Sequence, residues 1–308
     1  MKWPSRQQRK QQISAQLLAH HQNVRPMPGI ANPAARDTLA MQIVASLRRE
    51  EYFQVIQRRG PVGADRANPH LDSFEAELGV VHLLQQNAYD EAAWLVFLMV
   101  HLAKPSESGW RRLRDIYGML GRGRWTWEAV SANPGAFEQW LAANWKSIGG
   151  KFGNHRKYES LEPGKRRAMG AAVVTYVNWV NAAGGHQALF SKIVLNAGND
   201  PHVIFDAFYR ALPVKGYGRL GRFDWAAMLS RYGFAPSQAG SAYLNTATGP
   251  KGGMRLLFTG SRDANVGPST LQDLLNELDA SLQVGMEVLE DSICNWQKKP
   301  TVFEHFKG

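Results

Sequence analysis

The sequence predicts a mainly α fold, with few or no strands. Three observations carry this expectation. Apolar residues recur at helical spacing through most of the 308 residues. Glycine or proline marks the ends of the periodic stretches. Strand patterns are few. The best, GMRLLFTG, reads equally well as a turn of helix.

The elements follow in order. Residues 1–37 are polar, basic and proline-containing, and read as a flexible arm with a candidate helix over SRQQRKQQISAQLLAHH. From Thr38 the pattern turns helical. TLAMQIVASLRREEYFQVIQRR sets Leu39, Ile43, Val44 and Leu47 on one stripe. SFEAELGVVHLLQQNAYDEAAWLVFLMVHLAK is apolar enough to be a buried pair of helices. WRRLRDIYGML ends near a glycine, as a helix C-terminus does. SANPGAFEQWLAANW, GAAVVTYVNWVNAAGG and DPHVIFDAFYRAL are further helices with glycine or proline boundaries. STLQDLLNELDASLQVGMEVLEDSICNWQKK reads as one last long element. Leu271, Leu274, Leu275, Leu278, Leu282, Met286, Leu289, Ile293 and Trp296 fall on one face of it. At about 100–200 residues per domain, the region from residue 38 to 308 is one large domain or two helical subdomains with a cleft between them.

Charge narrows the class of partner. Lys plus Arg is 36, Asp plus Glu is 26, and the net charge is +10. This is the electrostatic footprint of a polyanion binder. The one cysteine, Cys294, excludes an intramolecular disulfide and a zinc site built on cysteines. The longest apolar runs fall short of the roughly 20 residues a bilayer span needs. MKWPSRQQRKQQ has no apolar core of a secretory signal. A cytoplasmic protein with no cofactor, no metal and no membrane partner is expected.

Four stretches are candidates for chemistry. In DAFYRALPVKGYGRLGRFDWAAMLSRYG, a helix, a tight turn and a second helix follow one another. Pro213 disfavours helix at Leu212. Gly216 and Gly218 are expected to supply positive φ and bare backbone N–H groups. The second helix is expected to start near Leu220. Its N-terminus adds partial positive charge, and Lys215, Arg219 and Arg222 surround it, as a phosphate site requires. Leu-Pro-x-x-Gly-aromatic-Gly resembles the helix–hairpin–helix DNA-binding pattern Leu-Pro-Gly-apolar-Gly, with one extra residue.

The second stretch is GGKFGNHRKYESLEPGKRR. Its six cations face only Glu159 and Glu162, and Phe152, His155 and Tyr158 are interleaved. Cations among aromatics suit phosphate contact with base stacking. Lys151, Arg156 and Lys157 are the expected backbone contacts, and Asn154, His155 and Tyr158 the expected base-pocket residues. The third, MEVLEDSICNWQK, repeats Glu287, Asp291, Asn295 and Lys298 along one helix row, with Glu290 and Cys294 beside it. Such a row is either a solvated face of i,i+4 pairs or the acidic edge of a cleft. The fourth, GSAYLNTATGPKGGMRLLF, has Gly249, Pro250, Gly252 and Gly253 as a turn near Lys251 and Arg255, a candidate second anion site on a pattern that glycine-rich loops commonly share.

Together, and in this order, WLVFLMVHLAK, FGNHRKYESL, YVNWV, FDAFYRAL, GRLGRFDWAAML, ATGPKGGMRLLF and VLEDSICNWQK resemble the alpha-glutamyl/putrescinyl thymine pyrophosphorylase family, clade 3. The resemblance runs from about Pro28 to the C-terminus. It implies a fold related to the helix–hairpin–helix DNA glycosylases and an association with hypermodified bases in phage DNA. Some relatives look like glycosylases that remove a bulky modified base in defence against phage. The family name implies instead transfer chemistry on a pyrophosphorylated thymine derivative. Many helix–hairpin–helix glycosylases place the catalytic aspartate further from the hairpin than Asp224, so that residue is not carried over.

The expectation is a DNA glycosylase that flips out and excises a modified pyrimidine, hypermodified or glycosylated, from double-stranded phage DNA in antiphage defence. Its alternatives are a thymine-modifying pyrophosphorylase or transferase and a non-catalytic DNA-binding module. The candidate carboxylates are, in order, Asp291, Asp224 and Glu290, with Lys215 as a candidate lyase nucleophile. Cys294 and Asn295 would line the base pocket, and Gly216, Gly218, Arg219, Arg222 and Lys251 would hold DNA.

Overall fold

The computed structural model describes residues 3–306. Helix follows helix along the chain. α1 spans Gln7–Asn23, α2 Pro33–Gln57, α3 Ala76–Gln85, α4 Tyr89–Leu102, α5 Arg111–Tyr117, α6 Trp127–Ala132 and α7 Pro134–Asn144. α8 spans Met169–Ala182, α9 His186–Ala197, α10 Pro201–Ala211, α11 Arg219–Arg231, α12 Gly249–Thr259, α13 Pro268–Leu282 and α14 Met286–Trp296. Among the described residues no strand forms, and Ser160 and Ala168 make an isolated bridge. GMRLLFTG is the helical alternative, in α12. No helix of the described residues is long and apolar enough to cross a membrane.

Local chemistry sets several of the boundaries. Thr126, Asn133 and Asp200 accept first-turn N–H groups of α6, α7 and α10 through their side chains. Leu212, before Pro213, is extended at φ −66° and ψ 111°, and ends α10.

The chain divides into two compact units, one built from the residues up to Tyr52 with Ala239–Phe306, the other from Phe53–Gln238. In the second unit α4 is the central helix. Every residue from Ala92 to Leu102 is buried, as expected of a helix that is apolar all round. Aromatic rings fill the space about it. Phe97 stacks on Tyr176 at 3.8 Å between centroids and on Tyr217 at 6.0 Å. Buried His186 is held between the Asp90 carboxylate, 2.8 Å from Nδ1, and the Tyr176 hydroxyl, 2.9 Å from Nε2.

In the first unit, the stretch expected to be a flexible arm carries α1, whose Ile13, Leu17 and His20 are buried. The last apolar stretch is not the single element expected. It breaks between α13 and α14, where Gln283 and Gly285 take positive φ and the Asp279 carboxylate accepts the N–H groups of Val284 and Gly285. The apolar face continues across the break, through Leu282 and Met286, and this hides it from periodicity. The glycines before Met254 are also not a free turn. They form the first turns of α12 and let it approach α14 closely. A Cβ on Gly253 would stand 2.7 Å from the Ile293 side chain, and one on Gly249 2.8 Å from Cys294 Sγ. They therefore serve helix packing, which corrects the expectation of a turn there.

Candidate active site and nucleic-acid interface

The hairpin between α10 and α11 is anchored from inside. Leu212, Val214 and Tyr217 are buried, while Pro213, Lys215 and Gly218 face solvent. Tyr217 lies flat against His101, 5.5 Å between centroids, and its hydroxyl shares a hydrogen bond with His101 Nδ1 at 3.2 Å. Gly216 has φ +86°, as expected. Gly218 does not: its backbone is extended at φ −92°, so its contribution is bare backbone alone. α11 begins at Arg219, one residue before the expected start.

The basic loop from Gly149 to Arg167 packs along the C-terminal end of α4. Gly153 donates its N–H to the Leu102 carbonyl at 2.9 Å. Arg156 departs from the expected phosphate contact. It is 3% exposed, and its Nε donates to the Val100 carbonyl at 2.9 Å. Its guanidinium lies 4.8 Å from the Tyr217 ring centre and 3.4 Å from Asp224 Oδ2. The space it occupies exists because residue 221 is glycine: a Cβ there would meet Arg156 at 2.7 Å and Tyr217 at 2.8 Å. A charge run reads as a solvated face, so nothing in the local sequence marks this one arginine as internal.

Asp224 is the meeting point of loop and hairpin helix. It is the sixth residue of α11, about 8 Å along the axis from Arg219 at the helical rise. His155 Nδ1 lies 3.7 Å from its Oδ2, on the same oxygen that Arg156 approaches. Its side chain is 26% exposed, so the carboxylate is reachable. Burial works to raise its pKa, but the His155 hydrogen bond and charge, with the charges of Arg156 and Arg231, outweigh it and hold the carboxyl below the usual range. Asn154 and His155 are exposed beside it.

Around this cluster stand further cations, of which Arg167 is half-buried and paired with Glu159 at 3.4 Å. Lys215, Arg166 and Arg167 line a depression of about 360 Å³ with Gly216, Tyr217 and Gly218. Tyr158 is 70% exposed, with Lys157 5.2 Å and Arg167 6.0 Å from its ring centre. Lys151 pairs with Glu107 at 3.1 Å on the surface. Arg219 lies 5.9 Å from the Phe223 ring centre, and Arg222 is half-buried.

The remaining expected residues belong to the other unit. Asp291 is ion-paired with Arg49 and accepts from Asn295 at 3.0 Å, while Asn295 in turn accepts from Lys298 at 2.9 Å. This is the i,i+4 row that helix geometry favours. Glu290 is buried, Cys294 is half-buried against Gly249, and Lys251 lies in the first turn of α12.

Sequence reasoning missed one cluster in the Phe53–Gln238 unit. Glu75 and Glu77 are bridged by Lys104, whose ammonium bonds to both carboxylates. Trp110 Nε1 donates to Glu77 Oε2 at 2.5 Å. Burial and the neighbouring Glu75 push the Glu77 carboxyl up to about 7. Glu75 itself is lowered: burial opposes, but the hydrogen bond with Glu77 and Lys104 prevail. The group lies beside a cavity of about 660 Å³.

A family model described as alpha-glutamyl/putrescinyl thymine pyrophosphorylase clade 3 matches residues 34–308. Comparison with curated proteins and with solved structures gives no match. With the match running through both units and over every candidate group described above, the chain belongs to the alpha-glutamyl/putrescinyl thymine pyrophosphorylase clade 3 family, which is named for an enzyme acting on thymine derivatives.

Proposed function

We propose that this protein is a DNA glycosylase that extrudes a modified pyrimidine from phage DNA and hydrolyses its N-glycosidic bond in antiphage defence. The observation that carries the reading is Asp224: an ionised, reachable carboxylate on the helix that follows a basic hairpin. The depression at Lys215, Arg166 and Arg167 would take a backbone phosphate, with the hairpin glycines Gly216 and Gly218 in its wall. Extrusion of the nucleotide costs a few kcal/mol, which the phosphate contacts offset. As the bond from C1′ to the base breaks, its electron pair leaves with the base and positive charge grows on the sugar. The Asp224 carboxylate stabilises that charge and orients a water whose oxygen bonds to C1′. The water's proton passes to Asp224 or His155, and the departing base takes a proton from solvent. Arg156 is a positioning residue, because it touches Asp224 and the hairpin from inside. Asp291 ranks below Asp224, since Arg49 and Asn295 already occupy its oxygens.

The family name favours a second reading, in which pyrophosphate on a thymine derivative is displaced by an amine or amino acid and the base stays in the strand. Incubation with phage DNA of known modification, followed by mass spectrometry of the small molecules released, separates the two. A free modified base supports hydrolysis. Released pyrophosphate with a heavier base left in the DNA overturns it in favour of transfer.

Binding is expected to weaken steeply with salt, because each phosphate contact releases counterions. Replacing Lys157, Arg166 and Lys215 together by alanine is expected to flatten the plot of log K against log salt by about one unit per lost contact. An unchanged slope in titrations from low to moderate salt would remove this face from the interface.

A further inference from the structure

Among the described aromatic residues only Tyr52, at 43%, and Tyr158, at 70%, are exposed. Tyr158 is held out by a fixed piece of backbone. It is the third residue of a tight turn from Arg156 to Glu159, closed by the bond from the Glu159 N–H to the Arg156 carbonyl at 2.9 Å. Lys157 is the second residue, at φ −59° and ψ −14°, the backbone that the commonest tight turn requires there. Both shoulders of the turn are buried charges. Arg156 is fastened to the Val100 carbonyl and to Asp224. Glu159, with a side chain only 2% exposed, is paired with Arg167. Behind the turn, Ser160 donates its N–H to the Arg167 carbonyl at 3.0 Å and accepts from Met169 at 2.8 Å. The tip therefore presents one ring and one ammonium from a base anchored on both sides.

A ring left in water forfeits the burial that draws other aromatic side chains inward. One that is already oriented loses little rotamer freedom when a partner covers it. The surrounding charge states what kind of partner that is. Lys157, Arg166 and Lys215 are exposed and have no acidic partner among the described residues, so the partner is anionic. Arg167 belongs both to the tip and to the hairpin depression: its guanidinium lies 6.0 Å from the Tyr158 ring centre and lines the depression with Arg166 and Lys215. A strand whose phosphate enters the depression thus passes beside the ring. Within a duplex the faces of each base are covered by its neighbours, so a protruding ring meets a base face only where a base has left the stack.

We infer that Tyr158 is a stacking platform for an unpaired base of a DNA strand, with the Lys157 ammonium on the adjoining phosphate. The inference rests on the DNA reading for its partner and is independent of base release. It gives the surface a preference that net charge alone does not: strands with an unstacked base are held more tightly than an uninterrupted duplex.

The test is fluorescence anisotropy of the full chain with a labelled oligothymidylate and with an abasic oligomer of the same length, which carries the same phosphates and no bases. Tyr158→Ala is expected to weaken thymidylate binding about tenfold and to leave the abasic strand unchanged. Tyr158→Phe keeps the ring face and should bind both strands as the wild type does. Lys157→Ala should weaken both equally and flatten the salt dependence, because it removes a phosphate contact. A duplex with one bulged nucleotide should bind more tightly than the uninterrupted duplex, and Tyr158→Ala should abolish the difference. The ring is exposed, so Tyr158→Ala should keep the wild-type melting curve. Independently of affinity, a fluorescent aminopurine in the strand should be quenched by the wild type and Tyr158→Phe, and not by Tyr158→Ala. Equal losses on thymidylate and abasic strands overturn the platform. So does binding of polyglutamate that falls in the same proportion in Tyr158→Ala, which would assign the ring to an acidic protein. Thymidylate binding that Tyr158→Ala leaves unchanged refutes the platform and leaves the DNA reading standing; failure of the wild type to bind any of the strands refutes both.

Discussion

Asp224→Asn is expected to bind DNA with nearly wild-type affinity and to release modified base about 100- to 1,000-fold more slowly. Asparagine keeps the shape of the side chain and can still accept from Arg156, which approaches Oδ2 at 3.4 Å. What it removes is the negative charge that the proposed mechanism sets against the sugar. The effect should therefore fall on the chemical step, read under single turnover, and not on the dissociation constant. Asp291→Asn is the matched control. Its ion pair with Arg49 lies in the other unit, so base release should continue at the wild-type rate. If Asp224→Asn is fully active and Asp291→Asn is not, the catalytic carboxylate is on α14 and the mechanism proposed for α11 fails.

The second large effect is on stability. Tyr217→Ala is expected to cost about 3–5 kcal/mol, the usual loss when a large aromatic side chain is removed from a core. The ring is 6% exposed and is in contact with Phe97, His101 and the Arg156 guanidinium. Tyr217→Phe keeps all three ring contacts and loses only the bond to His101, so about 1 kcal/mol is expected. Urea unfolding of the two variants under identical conditions checks both values. Near-equal stability of Tyr217→Ala and the wild type would mean that the hairpin is not fastened to α4 through this ring.

Much of the fold was legible because its signals are local. Pro213 and Gly216 mark the hairpin through backbone restrictions that operate within a few residues. The run from Ala92 to Leu102 is apolar on every side, and burial follows from that alone. The break at Gly285 was hidden because the apolar period continues through it, and only the Asp279 side chain, which caps the two following N–H groups, reveals why the chain turns. The site was less legible, since its parts come from distant segments. Glu75 and Glu77 read as an ordinary helix start, and nothing nearby in sequence announces Lys104 or Trp110. Arg156 has the same composition around it as Lys157, yet one is internal and the other exposed. The difference lies in Gly221, 65 positions away, which leaves room for a guanidinium.

Arg156 thereby belongs to two systems at once, and this has a consequence for how the protein can change. The guanidinium supports the end of α4, the hairpin ring and the carboxylate of Asp224 in a single contact set. Any substitution that retunes the Asp224 carboxylate through this residue also alters the packing that keeps the chain folded. Lys157, Arg166 and Lys215 are exposed and carry no such burden. In the proposed enzyme, grip on the polyanion can therefore drift by single steps of little structural risk, whereas the proposed reactive centre can be remodelled only by coordinated replacement of several residues. Variation in target preference should then begin at the exposed cations and reach the chemistry last.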